Sequence, residues 1–585
     1  MGWRGGEGGD SEGETAYFLW LTGVDCSVPS TGRVTGLRMR RVHWIVGVCY
    51  LVLALCVWLP YGPASGMPYE TTLVWASETT SFPQSMLYTA DRMRILTSVF
   101  YDLGYRLSAA LGIQGSYLGV QLAYLALLWG RAYFLYLGVA AMAPGALWLA
   151  FLAGAFNLVH AADFAAMWVG QMNQLGYMFW LALAFWALVR GTGPDSGTPK
   201  FGALALVSGY ACLYSYESPV ILLSLLPVFL GAVDRRRVRE HLFLHAIWYF
   251  FIASFTYRFL LRSYFAPQGT YQAKVMRPEF VALDVLDEWA GQVSHSMFVW
   301  RWGTALHWPE LTAPLGAAVT AFAVAVWLLH REKFEAREQA RLAWRALGIG
   351  LLACIFSFPA YLFLPGGGGL WRTQFLSSFG AGVALAAFVL VVAAWGWPGR
   401  VAAAIASLLI LCLGVDTLVD ISRGHWRTWE RHRRVMAGLL AAAPDVAGGT
   451  VVILTGVPRE DDPFGDNLWF DYAVRLAYPG RRVVGAYQYS DGGFSPAYSL
   501  DLENEPGKWV WNRKGMPPLM RSGPAEAVLV AAVGGDGGVH ILNRWPGNLP
   551  AKEETRQGYN PSRLVRMGRV SPIAVKRYGP IPARN

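Results

Sequence analysis

Apolar residues in this chain gather into uninterrupted runs of about 20, the length that crosses a bilayer as a helix, instead of recurring at amphipathic spacing. The runs fall at 42–60, 117–140, 144–160, 172–190, 202–216, 218–233, 242–262, 311–330, 345–364, 373–395 and 401–420. They predict an α-helical polytopic membrane protein with about 11 transmembrane helices. The tightest pair shares 202–233, with a polar tip at Tyr214–Pro219. Ahead of the first run, residues 1–38 are Gly-rich and partly acidic, and are read as a disordered or over-long N-terminal tail, with Met39 as the expected natural start. The run after Met39 lacks a closely following small-x-small cleavage site and is taken as a retained first span.

After 420 the pattern changes. Thr450–Gly456 and Arg482–Tyr487 read as strands separated by a helix at Leu468–Ala477, and Ala527–Val533 with Val539–Asn543 reads as a hairpin. Residues 421–585 are therefore expected to form a small α/β domain. The basic stretch Arg423–Arg434 at its start runs against the positive-inside rule; an amphipathic helix lying on the outer membrane surface is one answer and a miscounted span is the other.

Composition agrees with the pattern. The chain of 585 residues is 54% hydrophobic and 15% charged, with mean hydropathy +0.32, whereas soluble domains are about 25% charged. Six cysteines, five of them inside apolar runs, exclude a disulfide framework. The net charge of +10 is explained by topology. With Arg38, Arg40 and Arg41 inside, alternation also places 190–200, 234–241, 330–345 and Arg400 inside, so the strongly basic short loops share one side and a nucleic-acid partner is not expected. The outer loops 61–116 and 263–310, the turn Pro365–Arg372 and everything after Asp420 fall on the other side, which makes the C-terminal domain extracytoplasmic.

Chemistry-bearing residues cluster on that outer side. The first loop carries Glu70, Glu78, Asp91, Asp102, Arg92, Arg94 and Arg106, mixed with aromatics, a combination that suits a sugar. An aromatic belt with solvated charges is the bland reading of the same residues. His160 and Asp163 lie in the outer hairpin Asn157–Gln174, Glu217 at the tip between spans five and six, and Arg372 after four glycines. Phosphate-loop, Cys-x-x-Cys and His-Glu-x-x-His motifs are absent, and no metal site is assigned. His241 and His245 stand four apart without a third ligand. Asp461–Asn467 is read as a polar turn, not a calcium loop.

On these residues the chain resembles the GT-C superfamily of polytopic membrane glycosyltransferases, in its protein O-mannosyltransferase-like and tetratricopeptide-coupled branch. Four segments carry the likeness in the family's order. Thr89–Leu107 resembles the Arg-Pro-Leu stretch, with Met93 in place of Pro. Asn157–Leu188 resembles the His-Pro-x-x-x-Glu-x-x-x-Trp hairpin through His160, Asp163 and Trp168. Tyr210–Val220 resembles the Ser-Lys-Glu segment, keeping Glu217 with Tyr216 for Lys. Gly369–Gly380 keeps Arg372 and Gly380 of the fourth segment. The likeness runs from 42 to 380, leaves 421–585 uncovered, and includes no tetratricopeptide repeats.

The resemblance implies transfer of a sugar from a polyprenyl-phosphate donor to a glycan, lipid or protein acceptor outside the cytoplasm of the cell envelope. An acid in the first loop would serve as base, and Glu70, with Glu78 as reserve, is placed for it. Asp91, Arg92, Arg94, His160, Asp163, Glu217 and Arg372 would bind substrate, Arg92 and Arg372 at the phosphate. The family's pair of adjacent acids is missing, which argues against a divalent metal; no cofactor is assigned. Two alternatives remain: an inactive relative that keeps lipid or glycan binding, and a transporter of lipid-linked sugar. A transporter is expected to show internal repeats and mid-span ionisable groups; no convincing repeat is present, and the ionisable groups singled out gather at outer ends.

Overall fold

The computed structural model describes residues 36–67, 80–87, 93–193, 199–265, 282–300, 308–331, 336–362, 372–494, 498–502, 507–513, 521–534 and 538–580. Contacts divide the chain after Ile45. The first unit contributes only the start of a helix to the described residues; the second, Val46–Asn585, holds everything that follows.

A helix stands at each of the eleven apolar runs. They are α1 (Gly36–Trp58), α3 (Leu118–Met142), α4 (Leu147–Leu158), α5 (Met172–Gly191), α6 (Pro199–Ser215), α7 (Val220–Val233), α8 (Leu242–Tyr264), α10 (Trp308–Arg331), α11 (Ala336–Ile355), α12 (Ser377–Ala393) and α13 (Trp397–Ala442), with α2 (Val99–Ala110) and α9 (Ala282–Phe298) between them. A helix satisfies its own backbone, as lipid demands. Among the described residues, six stretches are long and apolar enough to cross a membrane: Arg41–Trp58, Leu118–Met142, Val169–Gly191, Leu242–Arg262, Glu310–His330 and Trp397–Ala442.

Helix α4 is the axis of the bundle, with every residue from Trp148 to Leu158 buried. Helix α8 is peripheral: Phe243, Phe250 and Tyr257 are exposed, as lipid-facing side chains should be. Helices α11 and α12 approach backbone to backbone, since a Cβ on Gly350 would lie 2.5 Å from Ala384 N and one on Gly380 would run into Cys354 N.

Side-chain contacts identify the two ends of the bundle. At one end Arg237, beyond α7, donates to Val189 O of α5 and Ala141 O of α3. At the other, Tyr61 donates to Glu310, Thr97 to Ser215 O and Arg94 to Glu217. This grouping agrees with alternation along α3 to α7.

The helix of the last apolar run does not end at 420. Helix α13 runs unbroken from Trp397 to Ala442, so Arg423–Arg434 is not a separate helix lying on a membrane surface. The cause is packing. Arg423 pairs with Asp420 one turn back, and Trp429 and His432 are buried against Tyr117, Phe464 and Tyr578.

Beyond α13, strands β1 (Val451–Val457), β2 (Val484–Tyr489) and β6 (Val528–Val533) are parallel with β1 central, and β7 (Val539–Ile541) adds antiparallel to β6, Ala531 opposite Ile541. Helix α14 (Asn467–Ala477) makes the β1–α14–β2 crossover, its Asp466 cap accepting from Leu468 N at 2.8 Å. A separate antiparallel sheet has the order β3 (Tyr498–Asp501), β4 (Lys508–Arg513), β5 (Arg521–Pro524). Strands and helix lie within two residues of the expected positions. The final helix α15 (Pro572–Tyr578) clasps the turn between α2 and α3: Lys576 Nζ donates to Gly112 O at 3.2 Å, and the Arg577 guanidinium lies 5.5 Å from the Tyr117 ring centre. The C-terminal part thus sits at the Arg94–Glu217 end of the bundle.

Candidate functional site

Two clusters form at that end. Arg94 follows Met93, which is turned into the left-handed region at φ 56°. Its Nε donates to Glu217 Oε2 at 2.8 Å and its Nη2 to Oε1, a bidentate pair with both side chains largely buried. The guanidinium lies 4.0 Å over the Tyr216 ring, which stacks on Tyr177 of α5. The pair therefore ties the first loop to the α6–α7 tip, and Tyr216 supports the arginine's flat face.

The second cluster centres on Asp163. Its Oδ1 accepts from Ala165 N at 2.8 Å and Arg372 N at 2.9 Å, and its Oδ2 from Gln374 N at 2.9 Å. Burial pushes its carboxyl up to about 6, against the opposing pull of these three N–H donors and the Arg372 charge. Arg372 adopts φ 72°, a conformation costly for a residue with a Cβ, and its guanidinium lies 5.4 Å from the Trp168 ring centre. Trp168 stacks on His425 of α13. His160 Nε2–H donates to Ser296 O of α9 at 3.0 Å, and His295 does the same to Ala162 O at 2.9 Å. Tyr101 of α2 donates to Gly170 O at 2.6 Å, and the nearby Arg372 charge acts on it.

His160 and Asp163 are recessed, not carried on an outer hairpin. Helix α4 has 12 residues and α3 has 25, about 18 and 38 Å at 1.5 Å per residue. Helix α4 consequently ends about halfway up α3, and segment 159–168 lies inside the bundle. The reason is Arg131. Sitting mid-helix in α3 and fully buried, it donates through Nη2 to Asn157 O at 3.0 Å and Leu158 O at 3.4 Å, capping the last turn of α4. A cavity of about 10 Å³ opens there, lined by Tyr124, Arg131, His160, Asp163, Gln374 and Ser378 among others. It has room for a water molecule, not a sugar.

Of the residues singled out in the sequence, Asp163 and Arg372 meet directly with His160 beside them, and Arg94 meets Glu217. Glu70, Glu78, Asp91 and Arg92 lie outside the described residues. Among those described, no three His, Cys, Asp or Glu gather to hold a metal. Sequence reasoning placed Tyr101 among the first-loop aromatics but missed Gln374 and above all Arg131. The last left a signal, a charge in the middle of an apolar run.

No family model and no curated protein matches the sequence. A solved structure similar to the chain is that of ArnT from Cupriavidus metallidurans in the apo state, at 14% identity, covering 71% of this chain and 82% of that one, with a TM-score of 0.30.

Proposed function

We propose that the chain is a membrane glycosyltransferase that moves a sugar from a polyprenyl-phosphate donor to an acceptor on the extracytoplasmic side. The observation that carries this reading is the gathering of Arg94, Glu217, Asp163 and Arg372, one from each of the four GT-C-like segments, with their aromatic neighbours, at one end of the bundle. Glu70, with Glu78 in reserve, takes the proton of the acceptor hydroxyl. The acceptor oxygen bonds to the anomeric carbon as the bond to the phosphate oxygen breaks, in one displacement that inverts configuration. Phosphate leaves without protonation, so the need is for cations at its oxygens, which Arg92 and Arg372 supply. Asp163 and Glu217 orient Arg372 and Arg94. The lipid chain lies between helices, and the C-terminal α/β part takes the acceptor or a partner.

One observation favours a second reading. Arg131 is an ionisable group buried mid-span, as in transporters. The full chain in proteoliposomes with a polyprenyl-phosphate-linked radiolabelled sugar distinguishes the two. Transfer of label to an acceptor, abolished in Glu70→Gln while the variant still inserts, is the expected result; undiminished turnover in that variant overturns the base assignment. Label that crosses the bilayer without becoming attached supports the transporter, and donor bound without either event supports the inactive relative.

A further inference from the structure

Arg131 is 4% exposed, and among the described residues it makes no ion pair. Its Nη2 serves the α4 carbonyls, while its Nε, also buried, has no hydrogen-bond partner. A guanidinium in this position costs several kcal/mol unless negative charge offsets it. The α4 C-terminus supplies part of that charge as a helix dipole. The rest is within reach across the cavity that Arg131 shares with Asp163. Asp163 has one acceptor position left. An ionised carboxylate offers about four lone-pair sites, and three are taken, two on Oδ1 and one on Oδ2. A cavity of about 10 Å³ between a buried donor and a buried acceptor, with Tyr124 and Ser378 also lining it, meets the size and polarity that one ordered water needs.

We infer that a water in this cavity joins Arg131 Nε–H to Asp163 Oδ2, and that Arg131 is a positioning residue that fixes the Arg372 turn through Asp163. Its inward reach, capping α4, sets the depth of segment 159–168. Its outward reach, through the water, keeps Asp163 ionised, and the carboxylate holds the N–H groups of Arg372 and Gln374. The Arg372 side chain then faces Trp168 from a backbone that would otherwise relax from φ 72°. This role for Arg372 rests on the transferase reading; the water-linked pair does not.

Infrared difference titration of the full chain in nanodiscs tests it, with Asp163→Asn assigning the carboxyl band. Tyr124, Arg131, His160 and Gln374 line the cavity with Asp163, Arg372 acts on it, and His295 from α9 and His425 from α13 bond the neighbouring Ala162 and Phe164 carbonyls; Leu128→Phe alters none of them. The wild-type midpoint is expected near 6. Arg131→Met should raise it by about one pH unit or more, a tenfold change in proton affinity, and Arg131→Lys should restore most of it. Leu128→Phe fills the same cavity from α3 without touching a charge, so it remains informative where Arg131→Met does not fold, and it should raise the midpoint too. An unmoved midpoint in either folded variant overturns the proposal. The readout contains no turnover, so failure of the transferase reading would leave it standing.

Discussion

Asp163→Asn is the sharpest single perturbation of the site, because burial and hydrogen bonding at Asp163 pull in opposite directions. The carboxyl rises from 3.8 to about 6 in the folded protein. That is about two pH units at 1.36 kcal/mol each, so holding it ionised at neutral pH costs about 3 kcal/mol. Since the folded value is the higher one, Asp163's contribution to stability is fully present below 3.8 and is lost as pH rises through about 6. Asparagine removes that cost. In exchange it presents an NH₂ group where an oxygen accepted, which orphans one buried backbone donor at about 1–3 kcal/mol. At pH 7 the variant should therefore lie within about 2 kcal/mol of wild type. Its stability should lack the decline of about 3 kcal/mol that Asp163 imposes between pH 4 and 6.5. Asp163→Ala, which orphans three donors, should be clearly less stable than Asp163→Asn at every pH. Reversible unfolding by SDS titration in mixed micelles at pH 4.5, 6 and 7.5 measures all three proteins. Equal pH slopes in wild type and Asp163→Asn would refute the reasoning. Transfer activity should fall about tenfold or more in Asp163→Asn, because the Arg372 turn loses its anionic anchor.

Three further expectations follow from the same geometry. Exchanging the partners of the buried pair (Arg94→Glu with Glu217→Arg) should recover most of the stability that either single change removes, measured by a double-mutant cycle, while transfer stays lost because the guanidinium no longer lies over Tyr216. Arg372→Gly should relieve a left-handed backbone and raise stability by about 1 kcal/mol while abolishing transfer, read by thermal unfolding beside the label assay; a loss of stability would show that the side chain holds the turn. Gly119→Ala drives a methyl into Gly104 O and Ser108, so α2 must separate from α3; a destabilisation of about 1–3 kcal/mol is expected, and no change in unfolding would refute that close approach.

The helices were legible because hydrocarbon leaves a chain little choice: an apolar run of sufficient length must satisfy its own backbone, and a helix overlaps each of the eleven runs, although α11 starts ahead of its run and stops within it at Ile355. The strands at 451–457 and 484–489 were equally legible from their apolar content and flanking turns. What could not be read was where helices stop relative to one another. Helix α13 continues past Asp420 because Trp429 and His432 find burial against α15 and Phe464, partners distant in sequence. The pairing of Arg94 with Glu217 and of Asp163 with the Arg372 backbone spans 123 and 209 residues. Order along the chain placed these residues at one end and said nothing of who meets whom. Arg131 shows a different failure. Its charge was visible, but attention to outer ends passed over the one basic group in the middle of α3.

The position of Arg131 matters for the physics of the site. A carboxylate on an exposed hairpin would be screened by water and hold its neighbours weakly. Recessed beside a shortened α4, Asp163 acts in a medium where three backbone donors and the Arg372 guanidinium count for more. The arginine that caps α4 is therefore what sets the carboxylate's depth, and depth is what gives the Arg372 turn its hold. Cations fixed in advance, with their own countercharge already in place, need no rearrangement when a second anion arrives. A lipid phosphate meeting Arg372 would meet a guanidinium carried on a turn that Asp163 already holds through the N–H groups of Arg372 and Gln374.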